Sequence, residues 1–187
     1  MELSNYYKKI LAEFSGSVSR EAFVEAEKLA NLIMQSKRIF VLGAGRSGFM
    51  VKAFAMRLSH IGFDTYVVGE TITPPIKEND LLIIGSGSGE TESIVPVAEK
   101  TKKINSKIAL ITISPQSSIG SFADIIIKID AVSPKAANKN IQGKSIQAGA
   151  SLFEISMLLL LESVVLKLIE NSKKNPDSLF LKHANLE

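Results

Sequence analysis

Asp80-Leu81-Leu82-Ile83-Ile84-Gly85-Ser86-Gly87-Ser88-Gly89-Glu90-Thr91-Glu92-Ser93 decides how this chain is read. The first part, Asp80 to Ile84, is apolar without alternation, the pattern of a strand covered on both faces and so of a parallel sheet. The second part alternates glycine with hydroxyl residues and leads into a helical segment expected from about Thr91 to Lys103. Strand, loop and helix in that order bring three features together. Gly85, Gly87 and Gly89 let the backbone come close to a ligand, and Ser86, Ser88 and Thr91 offer hydroxyl donors. The helix start adds free N–H groups and roughly half a positive charge. That combination suits a phosphate dianion. The plain alternative is a flexible strand-to-helix loop with no ligand, which has no need of so much glycine and hydroxyl together.

Outward from this stretch, strands and helices alternate. Arg38 to Leu42 reads as the first strand. It runs through Gly43-Ala44-Gly45-Arg46-Ser47-Gly48 into a small and apolar helix from Phe49 to Ile61, suited to deep burial or a subunit interface. Phe63 to Val68 is the second strand, and Thr73-Pro74-Pro75 lies in the connection to the third, Asp80 to Ile84. Lys107 to Thr112 and Asp124 to Ile129 are the fourth and fifth, and a polar stretch from Asp130 to Gln147 precedes a long helix from about Ala148 to Asn171. Pro96 falls inside the expected fourth helix and should break or kink it. At the start of the chain, Leu3, Tyr6, Tyr7, Ile10, Leu11 and Phe14 recur at helical spacing up to Gly16. Ser19 is placed to cap a second helix reaching about Ser36. The fold expected is α/β: a three-layer, doubly wound, five-stranded parallel sheet flanked by helices, with added N-terminal helices. Residues 1–187 read as one domain, 1–36 forming the N-terminal helices and 37–187 the core, the C-terminal helix and the tail. Ligands of such sheets bind beyond the carboxyl ends of the strands, where both glycine loops lie.

Composition narrows the chemistry. The 187 residues are 45% hydrophobic and 22% charged, within the range of a globular domain with a substantial core. The net charge of +3 is spread over scattered lysines, with no aromatic-interleaved basic patch to suggest nucleic acid. With no cysteine, disulfides, thiolate nucleophiles and zinc–thiolate or iron–sulfur sites are excluded. With only His60 and His183, a histidine-rich metal site is not expected. The N-terminal segment is amphipathic and charged, unlike a signal peptide. The apolar run from Ile155 to Leu161 is too short, and too closely bracketed by Glu154 and Glu162, to span a bilayer. A cytoplasmic protein with neither nucleic-acid nor membrane partners is expected.

Two readings compete for Gly43-x-Gly45-x-x-Gly48. Between a strand and a helix it matches the dinucleotide fingerprint, and Glu70 follows the second strand where such folds place a ribose-binding acid. Against this, Arg46 and Ser47 put a cation and a hydroxyl where a dinucleotide needs bare backbone, and a second phosphate-type loop is surplus to such a site. Two loops that each hold part of a small anion suit a sugar phosphate better. Gly45, Arg46 and Ser47 would then act with Ser86, Gly87, Ser88, Gly89 and Thr91. The alternative for Arg46 is an ion pair with a nearby carboxylate.

The strand, the Gly-Ser-Gly-Ser-Gly-Glu-Thr loop and the helix together resemble the sugar isomerase (SIS) domain family. More narrowly, four segments are similar to the 6-phospho-3-hexuloisomerase family: Gly43 to Gly48, Val68-Gly69-Glu70-Thr71, Ser151-Leu152-Phe153-Glu154 and the terminal His183-Ala184-Asn185-Leu186-Glu187. Ala148-Gly149-Ala150 departs from the proline-methionine-glycine often found there in that family. The resemblance implies interconversion of D-arabino-hex-3-ulose 6-phosphate and D-fructose 6-phosphate through an enediol. That places the chain in the ribulose monophosphate route of formaldehyde fixation, linked to a hexulose-phosphate synthase. Another phosphosugar isomerase, or a non-catalytic sugar-phosphate-binding module, is the alternative. Such chemistry needs a base at carbon and a proton shuttle at oxygen but neither metal nor organic cofactor.

Glu154 is the candidate base. It stands in the first turns of the long helix between Phe153 and Ile155, where a carboxylate is partly desolvated. Its alternative is a carboxylate answering the helix dipole or paired with a lysine. Glu90 and Glu92 are read instead as capping the fourth helix or answering its dipole. By resemblance alone, His183 is the acid/base or ring-opening group, in its own subunit or a neighbour's. His60 is read as answering a helix C-terminus, with lining of the pocket as the alternative. A homo-oligomer, dimer or tetramer, is expected.

Overall fold

Leu81 to Ile84 have no exposure to solvent, because strand β3 (Leu81–Gly85) is hydrogen-bonded on both edges and covered on both faces. It pairs in parallel with β1 (Ile39–Gly43) and with β4 (Lys107–Thr112), while β2 (Thr65–Val67) and β5 (Ile125–Lys128) close the edges. The order is β2-β1-β3-β4-β5, all parallel. The computed structural model describes residues 1–132 and 145–172, and the helices among them are α1 (Leu3–Ser15), α2 (Arg20–Gln35), α3 (Gly45–His60), α4 (Val95–Lys103) and α5 (Ser151–Ser172).

Period-two alternation sorts the strand residues between two cores. Ile39, Val41, Leu81, Ile83, Ala109 and Ile111 face α2, α3 and α5, together with Phe54, Leu58, Phe153 and Leu161. Phe40, Leu82, Ile84, Ile108 and Leu110 face the other way, against Ile94 and Ala98 at α4 and Ile119 in the connection after β4. The sheet is thus the middle of three layers, as expected for a doubly wound fold. Among the described residues, no helix is long and apolar enough to cross a membrane.

Helix boundaries differ from expectation in three places. α3 begins at Gly45 and not at Phe49, so Arg46 and Ser47 belong to its first turn. Ala44 is the capping residue, without a side-chain cap, so no Ser, Thr, Asp or Asn marks the start in the sequence. α4 begins at Val95, because Thr91 O accepts from both Ile94 N (2.8 Å) and Val95 N (3.1 Å) and holds the intervening residues in a turn. Pro96 therefore sits in the first turn, where its missing N–H would have had no helical partner, and neither breaks nor kinks the helix. α5 begins at Ser151 and not at Ala148. The expected caps of the first two helices hold: Gly16 ends α1, and Ser19 Oγ accepts from Ala22 N at 3.2 Å.

At the amino-terminal edge of the sheet, Asp80 is 2% exposed and fully engaged. Arg38 donates to it from Nε (3.1 Å) and Nη2 (2.6 Å), and Lys77 N donates at 2.7 Å. Arg38 Nη2 also donates to Pro75 O (3.0 Å), so the pair ties down the connection between β2 and β3. The hydrogen bond to Asp80 holds the guanidinium pKa above its ordinary value.

At the carboxyl edge, α3 rises directly from β1. A Cβ on Gly48 would lie 2.7 Å from Gly43 O, a backbone atom with no way to yield. Gly48→Ala should therefore push α3 off the sheet and cost about 1–3 kcal/mol. Urea denaturation checks this; a midpoint equal to that of the parent would contradict the close approach.

Candidate active site

The strand order reverses direction between β1 and β3, where one crossover leaves toward each edge of the sheet, and doubly wound folds open a crevice at such a point. A cleft of about 390 Å³ lies there. One wall is the start of α3 (Ala44 to Ser47) and another the loop from Gly85 to Ser88 with Thr91. Gly149, Ala150, Phe153 and Glu154, at the entry to α5, complete it. Arg46, Ser47, Ser86, Gly87, Ser88, Thr91 and Glu154, distant in sequence, are thus brought together with Gly45. Of the residues expected at the site, Gly89 lies in the same loop without lining the cleft, and His183 lies outside the described residues.

The serine–glycine loop is held from within. Gly87 O accepts from Ile113 N (3.0 Å) and Thr112 Oγ1 (3.1 Å), and Gly89 O accepts from Ile119 N (3.1 Å). Because a trans peptide points its N–H opposite to its C=O, the Ser88 N–H is turned away from β4. Ser86 is nearly buried; its hydroxyl accepts from Gly89 N (3.2 Å) and lies 3.0 Å from Thr91 Oγ1. Ser88 Oγ accepts from Glu90 N at 3.2 Å. Ser86 is therefore first a brace for the loop, while Ser88, Thr91 and Ser47 keep partial exposure toward the cleft.

Ala44 leaves the first turn of α3 uncapped by any side chain, so its positive end also faces the cleft, which a start at Phe49 would not provide. The helix dipole expected at the serine–glycine loop belongs instead mainly to α3, because α4 starts four residues beyond Thr91. Glu90 does not cap α4: its Oε1 accepts from Ser118 N at 2.7 Å, and hydrogen bonding from Ser118 holds its pKa below the ordinary value.

Glu154 stands in the first turn of α5 and is 7% exposed. Its Oε2 accepts from Arg46 Nε, so the two candidate residues from opposite walls form an ion pair. Arg46 does pair with a carboxylate, and Glu154 does sit in the first turn of a helix. The partner is arginine rather than lysine. The pair is lopsided, since the Arg46 side chain is 60% exposed and the Glu154 side chain 10%. Arg46 is a solvated cation in reach of an incoming anion, and Glu154 is a desolvated carboxylate fixed in the wall.

Two other candidates fall outside the cleft. Glu70 is exposed and takes a hydrogen bond from Lys52 Nζ at 3.0 Å, so the acid that a dinucleotide reading requires is engaged elsewhere. His60 is in the last turn of α3, roughly 22 Å along the helix from Gly45 at 1.5 Å per residue, as its dipole reading expects. Gly149 and Ala150, which in the sequence stand out only as a departure from family pattern, form part of the wall.

The SIS domain model matches residues 32–160. The 3-hexulose-6-phosphate isomerase of Bacillus subtilis (strain 168) is 47% identical over 187 residues, covering 100% of both chains. The protein of that name from Mycobacterium gastri is 36% identical over 100% of this chain and 92% of its own. A Methanococcus jannaschii protein, whose crystal structure was taken to infer a 3-hexulose-6-phosphate isomerase function, superposes with a TM-score of 0.78 at 33% identity. That match covers 97% of this chain and 96% of that one. The chain belongs to the SIS domain family and, within it, to the family of the 3-hexulose-6-phosphate isomerases.

Proposed function

We propose that the chain interconverts D-arabino-hex-3-ulose 6-phosphate and D-fructose 6-phosphate through an enediol. The reading is carried by one observation: a buried carboxylate, Glu154, shares a small cleft with a hydroxyl-rich anion loop and an exposed arginine. Hydroxyls of Ser47, Ser88 and Thr91, with N–H groups of the loop and of the α3 start, hold the phosphate. That end of the substrate carries two negative charges, enough to draw Arg46 from Glu154. The carboxylate is then free to take the proton from C2 of the 3-ulose and return it to C3, leaving the carbonyl at C2. The accompanying transfer between the two oxygens falls to His183 of the tail.

The substrate also sets the cellular context: a hexulose-phosphate synthase supplies it from ribulose 5-phosphate and formaldehyde, in the cytoplasm. Assembly into a homo-oligomer, dimer or tetramer, is supported by exposed apolar side chains. α1 has no buried residue and exposes Leu3, Tyr6, Tyr7 and Leu11, while α3 exposes Phe49 and Met56. A sugar-phosphate-sensing module is the second reading, favoured by the Arg46–Glu154 pair itself, since ligand arrival would change that pairing without turnover.

In a coupled assay with ribulose 5-phosphate, formaldehyde and the synthase, the parent chain should yield fructose 6-phosphate. Glu154→Gln lowers kcat by about 10²–10⁴-fold, the usual contribution of a positioned base, while KM does not rise, because Arg46 no longer has a carboxylate to leave. A sensor would bind fructose 6-phosphate and give no product in the same assay. Arg46→Ala lowers kcat/KM by about 10²-fold, mostly through KM, as expected for loss of a cation facing the phosphate. An unchanged KM would remove Arg46 from the phosphate site. Light scattering at micromolar concentration gives a multiple of the 20.3 kDa chain mass, and a monomer would end the oligomer reading.

A further inference from the structure

Glu13 lies near the end of α1, well away in sequence from every residue of the cleft. Its carboxylate collects three donors from one short stretch that precedes α5. Ile146 N donates to Oε1 at 2.8 Å, and Ser145 Oγ and Gln147 Nε2 each donate to Oε2 at 2.8 Å. Ser145 Oγ in turn accepts from Gln147 N at 3.0 Å, so the stretch is folded around the carboxylate. Burial raises the Glu13 pKa, but the hydrogen bonds from Gln147, Ile146 and Ser145 outweigh it and hold the group below the ordinary carboxylate value. A carboxylate on an amphipathic helix is normally a solvated surface group; this one is half-buried and fully committed.

The residues just beyond 147 connect this contact to the cleft. Ser151 N donates to Ala148 O (3.1 Å) and Glu154 N donates to Ala150 O (3.1 Å), so residues 148–150 form the turn that launches α5. Gly149 and Ala150 of that turn are cleft wall, and Glu154 comes one turn later. The line from α1 to the buried carboxylate is short: Glu13 holds 145–147, these lead into 148–150, and these fix the first turn of α5.

We infer that Glu13 is a positioning residue for the cleft, clamping the segment that forms the Gly149–Ala150 wall and sets the start of the helix bearing Glu154. Its catalytic consequence rests on the isomerase reading of the site; the clamp itself does not. The anion loop has its own braces, hydrogen bonds from Thr112, Ile113 and Ile119 that do not pass through α1 or residues 145–150.

Glu13→Gln tests this in the full chain. The amide keeps the size of the side chain but replaces one acceptor oxygen with a donor, so at least one of the three hydrogen bonds is lost. Hydrogen exchange of peptides covering 145–153 should become about tenfold faster, the change expected for losing a hydrogen bond to a charged acceptor. In the coupled assay kcat should fall about tenfold, while competitive inhibition by inorganic phosphate, which reports the anion loop, stays within about twofold. Gln147→Ala, which removes a donor from the other side, should move exchange and kcat the same way by a smaller amount. Unchanged exchange over 145–153 in both variants overturns the clamp, as does faster exchange confined to α1. Parallel weakening of kcat and phosphate inhibition would mean general loosening and also overturns it. If the parent chain has no isomerase activity, the functional reading fails and the exchange result still decides the clamp.

Discussion

A carboxylate taken out of water loses its hydration, and the structure around it must replace what is lost with opposite charge or fixed dipoles. Glu154 is a point where this demand is met across a long sequence distance. Its compensation comes from the first turn of α5 beneath it and from Arg46, 108 positions earlier in the chain. For both to reach it, the starts of α3 and α5 must converge over the carboxyl edge of β3. Gly85 allows that convergence: a Cβ there would lie 2.7 Å from Val51 of α3 and 2.9 Å from Met157 of α5. The geometry of the cleft is thus a consequence of two helices packed tightly enough to share one charge.

The parts of this arrangement that are legible in the sequence are those written in local patterns. The unbroken apolar run from Leu81 to Ile84 announces a central parallel strand, and Ser19 and Gly16 mark helix ends by their chemistry. The alternating glycines and hydroxyls before Thr91 pick out the loop that forms one wall of the cleft. Features that depend on partners far along the chain are not legible. The start of α3 carries no capping side chain, so Arg46 looks like a loop residue although it is helical. Pro96 looks like a breaker because its position relative to the helix start is set by Thr91 O, a backbone acceptor with no sequence signature. The Arg46–Glu154 pair and the Glu13 contacts join residues separated by 108 to 134 positions, and no spacing rule reaches that far.

The two edges of the sheet solve opposite problems. At the amino-terminal edge, Asp80 is saturated by Arg38 and Lys77, and its backbone carbonyl accepts from Ser106 Oγ at 2.7 Å. The carboxylate there has little left to exchange for a ligand, and the cluster acts as a fastener for the connection between β2 and β3. At the carboxyl edge the polar groups are only partly committed. Arg46 is largely bathed in solvent despite its contact with Glu154, and Ser88 and Thr91 retain exposed surface. One end of the strands is closed electrostatically, and the other is left able to rearrange.

The internal bracing of the serine–glycine loop has a thermodynamic consequence. A glycine-rich segment free in solution explores many backbone states, and a ligand that orders it must offset their loss. Here Gly87 O, Gly89 O and the Ser86 hydroxyl already bind the loop to β4, to Ile119 and to itself before any anion arrives. The ordering entropy is lost when the chain folds and not in any later encounter with a ligand. A ligand of this loop would meet a surface already ordered, even though that surface is made of the chain's most flexible residue type.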